Sequence, residues 1–521
     1  MKTFHECGLL LLSLFAAVLL CCEILFSCGK KAPFDDKSDA MDNDELSEQI
    51  VRCRSSVDGT PLECTLHFPE DYDFAHPRPL IVVLPEMELP GKWRAGQALV
   101  ARLANSRPNG CPYWLLHEDV RNSIDYLCDN FPVTRNQIYL AANGIDECRF
   151  ACMNAQRFAG IYLQLEETAF DKWEELPLKN LLNVPLFLQN DNFSPVATEL
   201  QQRLQRAGAR YLNAPEFLLA STPADGIVQA FAWLSAQKPS RERIAWEGSR
   251  AMPRDSWWIR ADSIRECGQM GTITAKYDRD SRRIYIYTKG MDALSVDTGW
   301  EGFDGSQAID VEIDGCIFAI PCSRGWVRIA KDSDGMWDAA SLKPNAAVRT
   351  DYRMHGLRAV MTRRVLLVYG SVNDERAEAW KASAIEFADA WHKLTACRPD
   401  ICADSEISQD MLDDCNLVLF GSPADNSLTE ALLEDDASFL RRLYDCLDGD
   451  SRVEDDLTCV TLYPDDTFSK GGVAAIVLAN DVAGISNSWK AMLDSSEADF
   501  VFNGKFGSVH GYLSDDWEIE E

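Results

Sequence analysis

The chain has 521 residues, which at about 150 residues per domain leaves room for roughly three domains. Apolar residues make up 46% and charged residues 26%, a balance that excludes a disordered or fibrous protein. The 82 acidic against 51 basic side chains give a net charge of −31, and a field of that sign argues against nucleic acid as a partner.

Residues 8–27 (GLLLLSLFAAVLLCCEILFS) form an apolar run behind a short start containing Lys2. The run is long enough for the core of a signal peptide, and Glu23 within it argues against a permanent membrane span. It ends in Leu25-Phe26-Ser27-Cys28, which resembles the lipobox of bacterial lipoproteins: a leucine, a small residue, then the cysteine that is acylated. That resemblance implies a lipoprotein signal peptide over 1–28, lipidation at Cys28 and an extracytoplasmic protein held on a bacterial membrane. Plain secretion and a signal anchor are the alternatives. Residues 29–48 are polar, acidic and aperiodic, and read as a tether.

Fourteen cysteines follow Cys28, and export permits disulfides. Cys53/Cys64, Cys316/Cys322 and Cys397/Cys402 are candidate local pairs. No CxxC occurs, so zinc-ribbon and thioredoxin-type sites have no support. Cys148 and Cys152, four apart on an expected helix, read as small buried residues. The pattern names no metal and no cofactor.

Residues 49–240 alternate buried strands with helices. Pro79–Leu84, Gln137–Ala141 and Val184–Leu188 are short apolar runs of the kind buried on both faces of a parallel sheet. Val120–Phe131, Glu147–Phe158, Ala197–Ala207 and Gly226–Ala236 carry helical patterns. Residues 241–357 change character. Trp257–Arg260, Gly271–Tyr277, Arg283–Thr288 and the alternating Ile309–Gly315 predict short strands in a β-sandwich-like module. Residues 358–521 return to α/β: strands at Arg364–Gly370, Asn416–Gly421 and Val473–Leu478 and a helix over Glu375–Leu394 predict a smaller, flavodoxin-like open parallel sheet.

The order of these pieces resembles bacterial exported α/β-hydrolases of the prolyl-oligopeptidase/esterase type. The resemblance is carried by Ser55–Thr60, Leu66–Asp73 and Pro79–Leu84 as an opening, Val133–Gly160 as a nucleophile region and Asn183–Leu234 as the last strands and helices. Asn416–Asn426 and Gly511–Trp517 fit downstream. Such a protein places a G-x-S-x-G elbow between a strand and a helix, a histidine to take the serine proton, an acid to orient the histidine, and backbone donors for the oxyanion.

Every one of these positions departs here. The elbow reads Ala142-Asn143-Gly144-Ile145-Asp146, so glycine stands where the nucleophile belongs. The oxyanion region after the first buried strand is Pro85-Glu86. The late histidine is expected near Leu218–Pro223, yet no histidine occurs between His117 and His355. Asp191 is the possible remnant of the triad acid. Loss of one triad member costs on the order of 10⁴ to 10⁶ in rate. The expectation is a non-catalytic hydrolase-like protein with a binding or assembly role toward a glycan or peptide. The competing expectation is an active serine hydrolase, an esterase or peptidase, with displaced catalytic residues.

Other constellations are weaker. Glu86, Asp146 and Glu147 form a carboxylate group at the old oxyanion position, fit for a glycoside or a cation, or else merely solvated. His117 beside Glu118-Asp119 reads as a structural histidine, with a cryptic site using Ser194 or Ser221 as the alternative. Gly370-Ser371 and Gly421-Ser422 end strands where open sheets bind ligands, without a GxGxxG or P-loop pattern. Trp257, Trp258 and Trp300 are core aromatics or a sugar-stacking surface.

Overall fold

Short apolar runs separated by turn residues build four sheets in the computed structural model. It describes residues 48–87, 96–164, 176–189, 195–211, 219–222, 227–238, 241–249, 252–265, 269–303, 308–321, 325–338, 356–412, 415–434, 436–445, 457–465, 468, 472–486, 488–493, 498–504 and 507–513. Cys28, Asp191, Ser194 and Cys322 therefore lie outside the described residues.

The first sheet holds β1 (Glu48–Arg54), β2 (Pro61–His67), β3 (Arg78–Val83), β4 (Leu99–Leu103), β5 (Val133–Asn143), β6 (Gly160–Gln164), β7 (Leu186–Gln189) and β8 (Leu219–Thr222). Their order is β1-β2-β4-β3-β5-β6-β7-β8. Only β2 runs against its neighbours; β4 through β8 are parallel. Leu80–Val83 and Ile138–Ala142 are buried on both faces, as helix-covered parallel strands must be. The covering helices include α1 (Tyr113–Asn130), α2 (Gly144–Met153), α3 (Pro195–Tyr211) and α4 (Ile227–Ala236). The α2 helix starts at the residue after β5 ends, so Gly144 occupies a strand-to-helix turn. Its φ of +77° is in the left-handed region that glycine enters without strain.

The second layer pair is a β-sandwich. One sheet has the order β10-β11-β14-β17-β18, from β10 (Asp255–Ser256), β11 (Ile259–Ile264), β14 (Met291–Asp297), β17 (Trp326–Lys331) and β18 (Trp337–Asp338). The other has the order β16-β15-β13-β12-β9, from β9 (Arg243–Gly248), β12 (Gly271–Asp278), β13 (Arg283–Lys289), β15 (Ile309–Ile313) and β16 (Cys316–Ile320). Trp257–Arg260 is not one strand. Trp257 has φ +51° and sits in the turn of the β10–β11 hairpin, which splits the expected strand in two. Trp258 is fully buried and packs with Trp300 and Phe303, which Tyr277 also contacts, while Trp257 lies under the Arg241 guanidinium. Trp258 serves the core, as expected for core aromatics, while Trp257 and Trp300 are half-buried.

The last sheet holds β19 (Arg364–Tyr369), β20 (Asp400–Ala403), β21 (Cys415–Phe420), β22 (Thr458–Asp465), β23 (Gly472–Ala479), β24 (Phe500–Gly504) and β25 (Gly507–Gly511) in the order β20-β19-β21-β23-β22-β24-β25. Helices α5 (Asp374–Thr395) and α6 (Ser427–Leu432) follow β19 and β21. Strands β19, β20, β21 and β23 are parallel and start in flavodoxin-like order, but β22 and β25 run the other way. The expectation of a purely parallel sheet is thus corrected. The links β22–β23 and β24–β25 are too short for the crossover a parallel pair requires.

Two contacts tie the sheets together. Asn180 and Asn183 use their amides to pair with the open edge of β9, each donating to a β9 carbonyl and accepting from a β9 N–H. Such pairing satisfies a sheet edge that would otherwise expose unpaired backbone. Arg107, its side chain fully buried, bonds Asp58 and Asp119 and reaches the Thr395 carbonyl at the end of α5. Burial alone would depress the arginine pKa; its bonds to Asp119 and Asp58 more than offset that, and the guanidinium stays charged.

The expected disulfides are corrected where they are described. Cys53 pairs in register with Leu62, and Cys64 with Val51, so the two cysteines are offset, and both are free. Cys397 donates to the Asp58 carbonyl at 3.0 Å and Cys402 is a free, buried β20 residue. Cys148 and Cys152 are free and fully buried on α2.

Candidate functional site

The strand ends of β3 and β5 meet at the start of α2. A Cβ placed on Gly144 would stand 2.7 Å from Glu86 Oε2. The Glu86 carboxylate therefore occupies the space that a nucleophile side chain would need. In an α/β-hydrolase the oxyanion hole combines the N–H after the nucleophile with an N–H from the loop after β3. Here the Glu86 N–H, in that loop, donates to Glu147 Oε1 at 2.7 Å, and the Asn143 N–H donates to Glu147 Oε2 at 2.6 Å. Glu147 reaches back from the first turn of α2 to the Asn143 N–H, while the Asn143 side chain makes no capping bond. A donor suited to a developing oxyanion is thus already held by a carboxyl of the protein itself.

Electrostatics match this arrangement. Burial pushes the Glu147 carboxyl up to about 8; its two backbone N–H bonds oppose the rise, and the neighbouring Glu86 charge adds to it. Two acids beside each other disfavour a second negative charge. Among the described residues no group of three or more His, Cys, Asp or Glu is arranged to hold a metal ion.

Behind the elbow lies a cavity of about 110 Å³. Its deep wall is apolar, built by Leu62, Leu84, Leu103 and Phe150, all buried. Its rim carries the exposed Pro85, Glu86, Asn105 and Asp146. His117 stands in its wall, four residues into α1, with edge contacts to Tyr113 and Phe150. The His117 Nε2 lies 3.3 Å from the Asp146 carbonyl, which makes that nitrogen the donor, and Nδ1 has no partner. Burial, reinforced by the Arg121 charge, holds the imidazole down at about 3, so it is neutral at physiological pH. Neither nitrogen engages a hydroxyl, as a triad base must.

The other named residues fall elsewhere. Ala142 is the last fully buried β5 residue, and Ile145 is half-buried at the start of α2. Ser221 lies on β8, separated from β5 by β6 and β7, whereas His117 borders β2, β3 and β4. The late-histidine position falls on β8 as Leu219-Ala220-Ser221-Thr222. Glu118 pairs with Arg121, and Asp119 with Arg107. Gly370-Ser371 and Gly421-Ser422 do end β19 and β21, but a Cβ on Gly370 would stand 2.3 Å from the Asp425 carbonyl. Gly370 is therefore packed against the chain itself. What the sequence did not flag is the cavity and the Arg107 network beside it; the spacing of Tyr113 and His117, one helical turn apart, is the sole sequence sign of the wall.

The strand order, the single antiparallel β2 and the glycine elbow between β5 and α2 define an α/β-hydrolase-like domain. No family model matches the chain, and no curated protein matches it. Solved structures similar to part of it include AtxE2 isopeptidase (15% identity over 36% of this chain and 38% of that one, TM-score 0.27). Others are a fungal esterase from Rhizomucor miehei (10%, 35% of this chain and 77% of that one, 0.27) and the acylaminoacyl peptidase of Pyrococcus horikoshii (12%, 34% and 37%, 0.27). The match spans well under half the length of the two peptidases. At these TM-scores the likeness adds nothing to what the strand order defines.

Proposed function

We propose that the hydrolase-like domain binds rather than cleaves, in a protein held outside the cytoplasm by lipidated Cys28. No helix among the described residues is long and apolar enough to cross a membrane, and an acylated cysteine needs none. One observation carries the reading: Glu86 fills the space beside Gly144 while Glu147 takes the Glu86 N–H. Both halves of the acyl-transfer machinery, nucleophile and oxyanion donor, are replaced by carboxyl groups that oppose the charge such chemistry develops. The open face at these strand ends then serves recognition of a peptide or glycan.

The test is fluorophosphonate labelling of the purified protein. No labelling is expected in the native chain. Gly144→Ser is also expected to remain unlabelled, because no base stands beside it. Labelling of the native chain that disappears when one serine is replaced would establish the active serine hydrolase instead.

A further inference from the structure

The polar groups buried in the cavity wall are committed to the protein itself. Arg107 is bound by Asp58, Asp119 and the Thr395 carbonyl. Ser123 Oγ donates to the Asp119 carbonyl, and the Glu147 carboxyl accepts two backbone N–H bonds. The His117 ring is neutral. What the deep wall offers a guest is hydrocarbon, from Leu62, Leu84, Leu103 and Phe150. The mouth differs. Asn105 is exposed there and Ser106 half-buried; Asn105 Oδ1 accepts the Arg107 N–H, which leaves its NH₂ as a donor. A guest whose inner part carries a charge or several hydroxyls must break the existing pairs or lose its own bonds to water, and either costs free energy. A sugar ring is such a guest. An apolar side chain carried on an amide backbone is not.

We propose that this cavity takes a leucine-sized aliphatic side chain from a peptide segment whose backbone crosses the mouth beside Asn105 and Ser106. The inference rests on the non-catalytic reading and deepens it: of the two ligands that reading allows, it selects the peptide. A dry cavity of about 150 Å³ accepts benzene, so 110 Å³ sets the guest at roughly four or five carbons. A leucine side chain fills that space, an alanine leaves most of it empty, and a phenylalanine exceeds it. Removal of the alkyl group from water supplies the affinity. The peptide amides both donate and accept, so they match an amide NH₂ and a hydroxyl at the mouth without introducing a charge.

Acetyl-Gly-Leu-Gly-amide and its alanine and phenylalanine counterparts share one backbone and differ only in the central side chain. Ligand-observed NMR titration of the full chain with the three, and with N,N′-diacetylchitobiose, therefore isolates what the cavity reads. The leucine peptide is expected to bind at least about tenfold more tightly than the alanine peptide, and the disaccharide not at all. Val120 and Leu116 are half-buried wall residues on α1. Val120→Phe fills the cavity and is expected to abolish the preference for leucine over alanine. Leu116→Ala enlarges it and is expected to shift the preference from leucine toward phenylalanine, a gain that a merely unfolded variant could not show. Equal binding of the leucine and alanine peptides, a leucine preference that survives both substitutions, or no peptide binding would each overturn the proposal. Binding of the disaccharide in place of the peptides would overturn it too and make the cavity a glycan subsite. These outcomes are distinct from fluorophosphonate labelling, which alone decides whether the elbow is inert.

Discussion

Two strand-to-helix turns in this molecule carry an asparagine in the same place and treat it oppositely. Asn426, before α6, is fully buried and saturated: its Oδ1 accepts from the Leu428 and Thr429 N–H groups, and its Nδ2 donates to the Val368 and Phe420 carbonyls. Around it Asp404 accepts from Ser371 and Ser427, and Asp425 from Ser422 and Arg376. Asn143, before α2, caps nothing with its side chain, leaves Oδ1 without a donor and has a cavity nearby. Both turns stand at the ends of parallel strands, where ligands bind in open α/β sheets. The difference teaches that position on the sheet makes a site available, while empty volume beside it keeps it open.

The largest expected effect tests whether the open turn is nonetheless firmly held on its far side. Arg107 lines the cavity and is shared with the C-terminal sheet through the Thr395 carbonyl. Arg107→Ala strands Asp58 and Asp119 in a buried setting, and losing one partner of a buried ion pair costs about 3–5 kcal/mol. Urea unfolding followed by tryptophan fluorescence is expected to show that loss. A change below about 1 kcal/mol would mean the network contributes little and the cavity wall is held by packing alone.

Next comes the saturated turn. Asn426→Ala removes an N-cap and leaves buried carbonyls short of a donor, a cost of about 2–3 kcal/mol. Asn143→Ala is expected to cost less than about 1 kcal/mol, because the Asn143 side chain makes no cap bond to lose. Comparable losses in the two variants, measured by thermal unfolding, would break the contrast between the turns.

How much of this was readable beforehand follows from the reach of each interaction. The apolar runs of β3, β5, β19, β21 and β23 are local patterns, and the strands appear within a residue or a few of the predicted spans. The helix expected from Val120 begins at Tyr113 instead, because Tyr113–Glu118 face an interior that the local pattern does not mark. Strands β4 and β6 went unseen; each is five residues long and has no turn signature of its own. At the elbow, the sequence places Gly144 where a serine belongs. It cannot say that Glu86, 58 residues earlier, covers it, nor that Glu147 turns back on Asn143. Those contacts depend on β3 and β5 lying side by side.

The pH dependence of stability sharpens the same contrast. The folded-state pKa of Glu147, raised by burial to about 8, exceeds its unfolded value. The unfolded chain therefore loses this proton first, and stability falls as pH rises from the ordinary glutamate range toward 8. The slope contributed by one such group is at most about 1.4 kcal/mol per pH unit. Glu147→Gln keeps the shape, removes the titration and is expected to flatten that decline, read from urea midpoints across the interval. An unchanged profile would mean that the two backbone N–H bonds hold Glu147 ionised in the folded state.

The smallest expected effect belongs to His117, and its sign is opposite. Burial holds its folded-state pKa at about 3, below the unfolded value, so its contribution is complete above the ordinary histidine range and is lost as pH falls toward 3. At neutral pH the ring gives one long bond to the Asp146 carbonyl and keeps Nδ1 unsatisfied, so its polar atoms contribute little. His117→Phe is expected to change stability at pH 7 by less than about 1 kcal/mol, since a similar ring enters the same aromatic contacts with Tyr113 and Phe150. It should make the protein more resistant to acid between pH 6 and 4, where the wild-type histidine would have to become charged. A large loss at neutral pH would mean that Nδ1 meets a partner in solution. The nitrogen would then belong with the saturated polar atoms of the Asn426 turn.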